Sequence, residues 1–269
     1  MSTFNFHQNL LSKIRRFLIL NNFISLITIV SDNRQHLHEK LIDSVTSQDV
    51  ELEWLLVFES EHSARVFTQK CNPELKIVSI VSSSEATIGE KRNVALSCCS
   101  GEFVANLDDD DFFSNSNALS TMLKVAQKSQ SITAVFGRSV DVVELNNGDF
   151  LFSSWKQAAP GLYIGGNNAL NAVVGKGTMP KVHSSAALYK TSLVKNCGGW
   201  GEGIPIGEDI HLLLNMLSQK GFVVIIDDVV HCYRKHSLSI MSRPNSRKID
   251  NEILPKIYAL HGLSLNSEI

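Results

Sequence analysis

A surplus of charge of either sign is missing from this chain: its 269 residues carry 25 basic and 27 acidic side chains, a formal net charge of −2. Proteins that displace counterions from a nucleic-acid backbone carry a clear basic excess, so no nucleic-acid partner is expected. Cysteine is sparse as well. Cys71, Cys98, Cys99, Cys197 and Cys232 are odd in number and form no CxxC pair, which fits neither a disulfide framework nor a structural zinc site and points to a reduced, cytoplasmic setting. No apolar run is long. The greasiest, Phe17 to Val30, is broken by Asn21 and Asn22 and falls short of the ~20 residues that span a bilayer. The first residues lack the basic start, apolar middle and small-residue cleavage pattern of a secretion signal, so neither export nor a transmembrane segment is expected. Internal repeats and low-complexity tracts are lacking too.

What is present is the composition of a folded chain, 43% apolar and 19% charged, large enough for one large or two small cores. Leu10, Leu11, Ile14, Phe17 and Leu18 recur at helical spacing, read as a helix packed on its own domain, with peripheral membrane or partner contact as the alternative. From Phe23 onward, short β-branched and aliphatic runs alternate with helical stretches. Strands are expected at Ile24 to Val30, Trp54 to Phe58, Lys76 to Val81, Phe103 to Leu107, Ala134 to Val140 and Phe222 to Ile226. Helices are expected at Glu39 to Ser47, Glu90 to Cys99, Ala118 to Ser129 and Asp209 to Lys220. The class is α/β. A glycine-rich stretch, Pro160 to Gly177, reads as a long loop, either a surface connection or a binding segment. Beyond Ser242 the chain turns polar and then weakly helical, from Ile249 to Leu260.

The strongest local signal is the buried run Phe103-Val104-Ala105-Asn106-Leu107 followed by Asp108, Asp109, Asp110 and Asp111. Four adjacent carboxylates repel one another, and a helix cap requires only one of them. In open α/β sheets, ligands bind beyond the carboxyl ends of strands, where this cluster falls. Carboxylate oxygens suit Mg²⁺ or Mn²⁺, which bridge the oxygens of a diphosphate, so a metal-bound nucleotide is the expected ligand. A second acidic pair, Glu208 and Asp209, follows Gly198-Gly199-Trp200-Gly201 and opens an apolar helix. Acidic residues there are stabilised by the helix dipole without catalytic duty, yet transfer from a nucleotide-linked donor also needs a carboxylate to take the proton of the attacking hydroxyl. Glu208 and Asp209 are therefore the catalytic candidates, with Asp209 the candidate base.

Five elements in order resemble the family 2 glycosyltransferases. They are Leu26 to Val30, Phe58-Glu59-Ser60, Gly89-Glu90-Lys91-Arg92-Asn93-Val94-Ala95, Gly101-Glu102-Phe103 running into the Asp cluster, and Gly198-Gly199-Trp200 running into Gly207-Glu208-Asp209. The resemblance covers about Phe23 to His236. It implies a GT-A type nucleotide-diphospho-sugar transferase fold, with a mostly parallel central sheet flanked by helices. It also implies an inverting transfer dependent on Mn²⁺ or Mg²⁺ and on a nucleotide-diphospho-sugar, UDP-linked by the family's usual mode. The acceptor is then a sugar, a lipid-linked molecule or a small molecule. On this reading residues 1–22 form a helical extension, 23–115 the nucleotide-binding half, 116–242 the acceptor-binding half and 243–269 a tail.

Residue by residue, the resemblance places Ser31, Glu59, Arg92, Asp108, Asp109, Trp200 and Arg234 at the donor, with Trp200 stacking on a sugar and Arg234 near the diphosphate. It makes Asp110, Asp108 and His236 the metal candidates, Asp111 a helix cap, Asp209 the base, and turns His183 to the acceptor. Asp32 stands where the family's stacking tyrosine would, and Phe58-Glu59 replaces its paired aspartates, departures that bear on nucleobase recognition. A nucleotidyltransferase-like enzyme and a non-catalytic sugar- or nucleotide-binding protein are the competing classes.

Overall fold

The computed structural model describes residues 23–145, 149–154, 156–175, 180–239 and 246–263, with no side chains described for 246–251. The helix expected around Leu10 to Leu18 lies outside the described residues. Strands β1 (Ile24–Ile29), β2 (Leu52–Phe58), β3 (Lys76–Val81) and β4 (Phe103–Asn106) form a parallel set in the order β3-β2-β1-β4. The sheet continues through β9 (Ala187–Lys190), β6 (Ile132–Glu144), β10 (Phe222–Arg234) and the short β5 (Phe112–Phe113). Two further strands pair off this path, β7 (Phe150–Ser153) on β6 and β8 (Gly161–Ile164) on β10. The sheet is mixed, but its three longest ladders, β1–β2, β2–β3 and β6–β10, are all parallel.

Burial on both faces explains the near-continuous apolar strands. In β2, Trp54, Leu56 and Phe58 enter one core while Leu55 and Val57 enter the other. The first core is closed by α1 (His38–Thr46), α2 (Glu61–Thr68) and α4 (Ala118–Ala126) through Leu41, Val45, Phe67, Leu119 and Met122. The second is closed by α3 (Ile88–Cys98), α5 (Asn167–Val173), α6 (Thr191–Asn196), α7 (Glu208–Ser218) and α8 (Ser246–Leu260). From α8, Leu254, Ile257 and Tyr258 are buried in that same core. Among the described residues no helix is long and apolar enough to cross a membrane.

The expected strands and helices form, with shifted ends. Helix α3 begins at Ile88 because Thr87 and Glu90 make a reciprocal capping box. Strand β10 runs eight residues past its expected end, through irregular pairing near Asp227 and Asp228, to Arg234. Helix α2, capped by Ser60, was not expected. The glycine-rich stretch is not a featureless loop: it holds β8 and α5, and its turn is tied down by Gly165 N–H on Gly221 O and Gly166 N–H on Leu217 O. Glycine density masked a period that only seven helical residues carry.

At the end of the sheet opposite the acidic cluster, Glu53 is buried with a full set of donors. It accepts from Ser25 Oγ at 2.7 Å, Ser100 N at 2.7 Å, Ser100 Oγ at 2.8 Å and Lys76 Nζ at 2.6 Å. Burial works against its ionised form, but the hydrogen bonds from Lys76, Ser25 and Ser100 prevail and hold its carboxyl below the usual range. Glu53→Ala orphans the Ser100 amide and is expected to cost about 2–3 kcal/mol of unfolding free energy. Urea denaturation checks this, and an unchanged midpoint would show that the network does not stabilise the β1–β4 junction.

Candidate active site

The strand order reverses between β1 and β4, and in open α/β sheets ligands bind in the crevice beyond the carboxyl ends of the strands at such a point. The chain leaving β1 passes through Ser31 into a 3₁₀ turn, Asp32–Leu37, and then α1. The chain leaving β4 carries the four aspartates. The two meet directly, for Ser31 N–H donates to Asp109 Oδ2 at 2.7 Å.

Asp109, Asp110 and Asp111 are buried and Asp108 partly so, and every one has a basic partner. Arg92 Nη2 donates to Asp108 at 2.5 Å and Nη1 to Glu208 at 2.6 Å. Arg34 Nη2 lies 2.8 Å from Asp109 Oδ1, and its Nη1 donates to Asp110 Oδ2. His38 Nε2 is 3.3 Å from Asp109 Oδ2, and His236 Nε2 is 3.0 Å from Asp110 Oδ2. Asp111 accepts Arg234 N–H at 2.9 Å on one oxygen, and its other oxygen is 3.0 Å from His231 Nε2. His231 Nδ1 is in turn 2.7 Å from Ser139 Oγ, and the His231 ring stacks on His183 at 4.6 Å.

Burial works to raise the Asp108 carboxyl, but Arg92 above all holds it below the usual range. Asp109 is raised by burial against the pull of His38 and Arg34. Asp111 is pushed well up, by burial first and then by Asp110 and Asp108. Burial drops both His183 and His231 to about 4, with His231 adding to the effect on His183.

Side-chain oxygens of Asp108, Asp110 and Asp111 lie within 4.8 Å of one another. Three convergent hard donors without sulfur fit Mg²⁺ or Mn²⁺. Asp209, in the first turn of α7, accepts Ser184 Oγ at 2.9 Å. Its neighbour Glu208 is buried on Arg92, which links the acidic pair to the aspartate cluster through one guanidinium.

The Lys91-Arg92-Asn93 run has one task per residue. Lys91 Nζ donates to Glu59 at 2.7 Å, at the rim where Glu59 is half exposed. Asn93 donates to Trp200 O and accepts Trp200 N–H, both at 2.9 Å. Gly199, at φ +73°, lets the chain pass Asn93, because a Cβ there would stand 2.2 Å from Asn93 Oδ1. A Cβ on Gly89 would likewise stand 2.3 Å from Gly201 O, so α3 and the segment before α7 touch backbone to backbone.

Three expectations are corrected. Trp200 is 1% exposed in the core, with Arg92 over its ring at 6.0 Å, so it supports that guanidinium and offers no face to a sugar. The Arg234 guanidinium is buried over Phe112 at 5.4 Å and Phe150 at 6.0 Å, not turned to a diphosphate; its backbone N–H is what serves the cluster. Asp111 caps no helix, since α4 begins only at Ala118. Ser31, Asp108, Asp109, Asp110, Arg92, Glu208, Asp209 and His236 lie beyond the strand ends in the contacts given above, and His183 sits just before the 3₁₀ turn that carries Ser184. Sequence reasoning missed Arg34, His38, Ser184 and His231. Arg34 and His38 carried a readable signal, two basic side chains four apart after the first strand.

A curled mixed sheet, helices on both faces and an acidic strand end at the order reversal define the GT-A glycosyltransferase fold. Residues 26–198 match the family described as Glycosyl transferase family 2, and the chain belongs to that family. Among solved structures it is similar to Staphylococcus aureus TarS 1-349, with a TM-score of 0.62 and 19% identity over 91% of this chain and 66% of that one. The TarS structure in complex with UDP-GlcNAc gives 0.64 and 18%, over 91% and 67%. The mannosyltransferase PcManGT from Pyrobaculum calidifontis, in complex with GDP-Man and Mn²⁺, gives 0.62 and 17%, over 88% and 63%. At these identities the likeness establishes the fold, and the chain spans about two thirds of the length of those chains. No curated protein matches the sequence.

Burial pushes the Glu208 carboxyl up to about 7 against the pull of Arg92, with Asp209 adding to the rise. In the unfolded chain it ionises near 4.5. Between those values unfolding releases a proton, so this group's contribution to stability falls as pH climbs from about 4.5 to about 7. Glu208→Gln is free of that loss. Its melting temperature relative to the parent is expected to rise across this window, and a flat difference would contradict the raised carboxyl.

Proposed function

We propose that this chain is a metal-dependent inverting glycosyltransferase that moves a sugar from a nucleotide-diphospho-sugar to an acceptor hydroxyl. The observation that carries this reading is the shared position of Arg92, which joins the Asp108 cluster to the acidic pair opening α7. Family membership and the nucleotide-sugar complexes of the similar structures support it.

Asp108, Asp110 and Asp111 would hold the Mn²⁺ or Mg²⁺, with His236 beside Asp110. The ion, when bound, supplies charge neutralisation for the leaving diphosphate. Asp109, fully buried on Ser31, His38 and Arg34, fixes the turn that carries Ser31 on the nucleoside side, and Glu59 lies half exposed beyond β2. Ser31 and Arg92 complete the donor side. Asp209, oriented by the Ser184 hydroxyl, takes the proton of the acceptor hydroxyl as that oxygen bonds to the sugar's anomeric carbon. The bond from that carbon to the diphosphate breaks in the same step, and its electron pair leaves with the nucleoside diphosphate. Glu208 serves as the ionic anchor of Arg92 and not as a second base. A uridine-linked donor, a sugar, lipid-linked or small-molecule acceptor and a cytoplasmic setting complete the reading.

The test measures nucleoside diphosphate release and Mn²⁺-dependent binding across a panel of nucleotide sugars. Asp110→Ala is expected to lose metal-dependent donor binding. Asp209→Asn is expected to bind donor within about twofold of the parent and to lose at least ~10²-fold in transfer, the usual scale of a general base. Full transfer by Asp209→Asn would overturn the base assignment. Donor binding without release by the parent, for every acceptor tried, would leave a binding protein on a transferase scaffold.

A further inference from the structure

The aspartate cluster has two guanidinium partners with opposite character. Arg92 is buried and held from both sides by Asp108 and Glu208. The Arg34 side chain keeps 19% exposure at the crevice. It comes from the 3₁₀ turn after β1, where it is the residue with non-helical backbone angles, φ −117° and ψ 20°. Its two ends are held unequally. Nη2 meets Asp109, whose other oxygen is pinned by Ser31 N–H and His38 and which lies outside the trio of convergent metal donors. Nη1 meets Asp110 Oδ2, an oxygen of that trio's carboxylate that also has His236 Nε2 at 3.0 Å.

Burial would lower the ionisation of Arg34, but Asp109 and Asp110 raise it, so its charge is permanent. A guanidinium and a divalent ion on one carboxylate oxygen would sit roughly 4 Å apart, where like charges in a half-buried site repel by several kcal/mol. An ion that takes Asp110 through Oδ2 therefore displaces Arg34 Nη1 from that oxygen. The link to Asp109 requires no such exchange. Loss of the Asp110 contact therefore leaves Arg34 tethered, with a free pair of N–H donors in the crevice where an anionic ligand enters. Guanidinium geometry matches phosphate oxygens.

We propose that Arg34 is an exchangeable internal cation: it neutralises Asp110 until a divalent ion takes that carboxylate, and then, still anchored on Asp109, it pairs the diphosphate of the arriving donor. The proposal rests on the metal-dependent donor binding argued above. It makes Arg34 a competitor of the metal and an ally of the nucleotide, so its removal has effects of opposite sign on the two ligands.

The experiment titrates the protein with Mn²⁺ alone, followed by electron paramagnetic resonance, and with UDP or GDP at saturating Mn²⁺, followed by calorimetry. Arg34→Met is expected to bind Mn²⁺ alone about tenfold tighter and the nucleoside diphosphate about tenfold weaker, the scale of one partly exposed ion pair. Arg34→Lys, which keeps the charge but not the fork, is expected to match the parent for Mn²⁺ and fall between the two for the nucleotide. Should Arg34→Met not fold, Arg34→Gln gives the same pair of opposite shifts. Unchanged or weaker Mn²⁺ binding, or unchanged nucleotide binding, overturns the role of Arg34 alone. A parent protein that binds neither Mn²⁺ nor nucleotide overturns the donor-binding reading with it.

Discussion

Consecutive carboxylates at the end of a buried strand would drive the chain apart unless each met a counter-charge or hydrogen-bond donors, and the architecture of the site follows from that constraint. The partners come from separate parts of the chain: Arg34 and His38 after β1, Arg92 from α3, His231 and Arg234 from the end of β10, and His236 just beyond it. Removing one partner from such a buried pair costs far more than the pair contributes, because the remaining charge stays desolvated. The electrostatic demand of one tetrapeptide thus fixes where several distant segments must sit.

The same demand divides the partners into two kinds. Those around Asp108 and Asp111 are deep and closed, with Arg92 shared with Glu208 and His231 braced by Ser139. Those around Asp110 are shallower, Arg34 at 19% and His236 at 14% side-chain exposure, and come from flanking segments.

Much of this was legible because it was periodic or contiguous. The buried strands announced themselves through unbroken aliphatic runs, since both faces are covered, and the aspartates by adjacency alone. The capping box, Thr87 with Glu90, is likewise a local pattern, but it went unread, and the expected helix start falls two residues late. What escaped depends on geometry across the chain. A tryptophan beside a glycine pair reads equally well as a sugar platform or a core residue; only the clamp from Asn93 and its burial decide. Arg234 belonged to a recognisable motif, yet strand alternation turns its side chain onto Phe112 and Phe150 and leaves the backbone to act. His231 was hidden because its strand continues past an irregularity near Asp227 that no hydrophobic period predicts.

The contact between Gly89 and Gly201 sets the mechanical character of the enzyme. Two backbones at touching distance have no side-chain cushion between them, so any side chain at position 89 would force apart the arm bearing Arg92 and the arm bearing Asp209. Side chains are left free elsewhere on the sheet, where β7 leaves Leu151 and Phe152 largely uncovered.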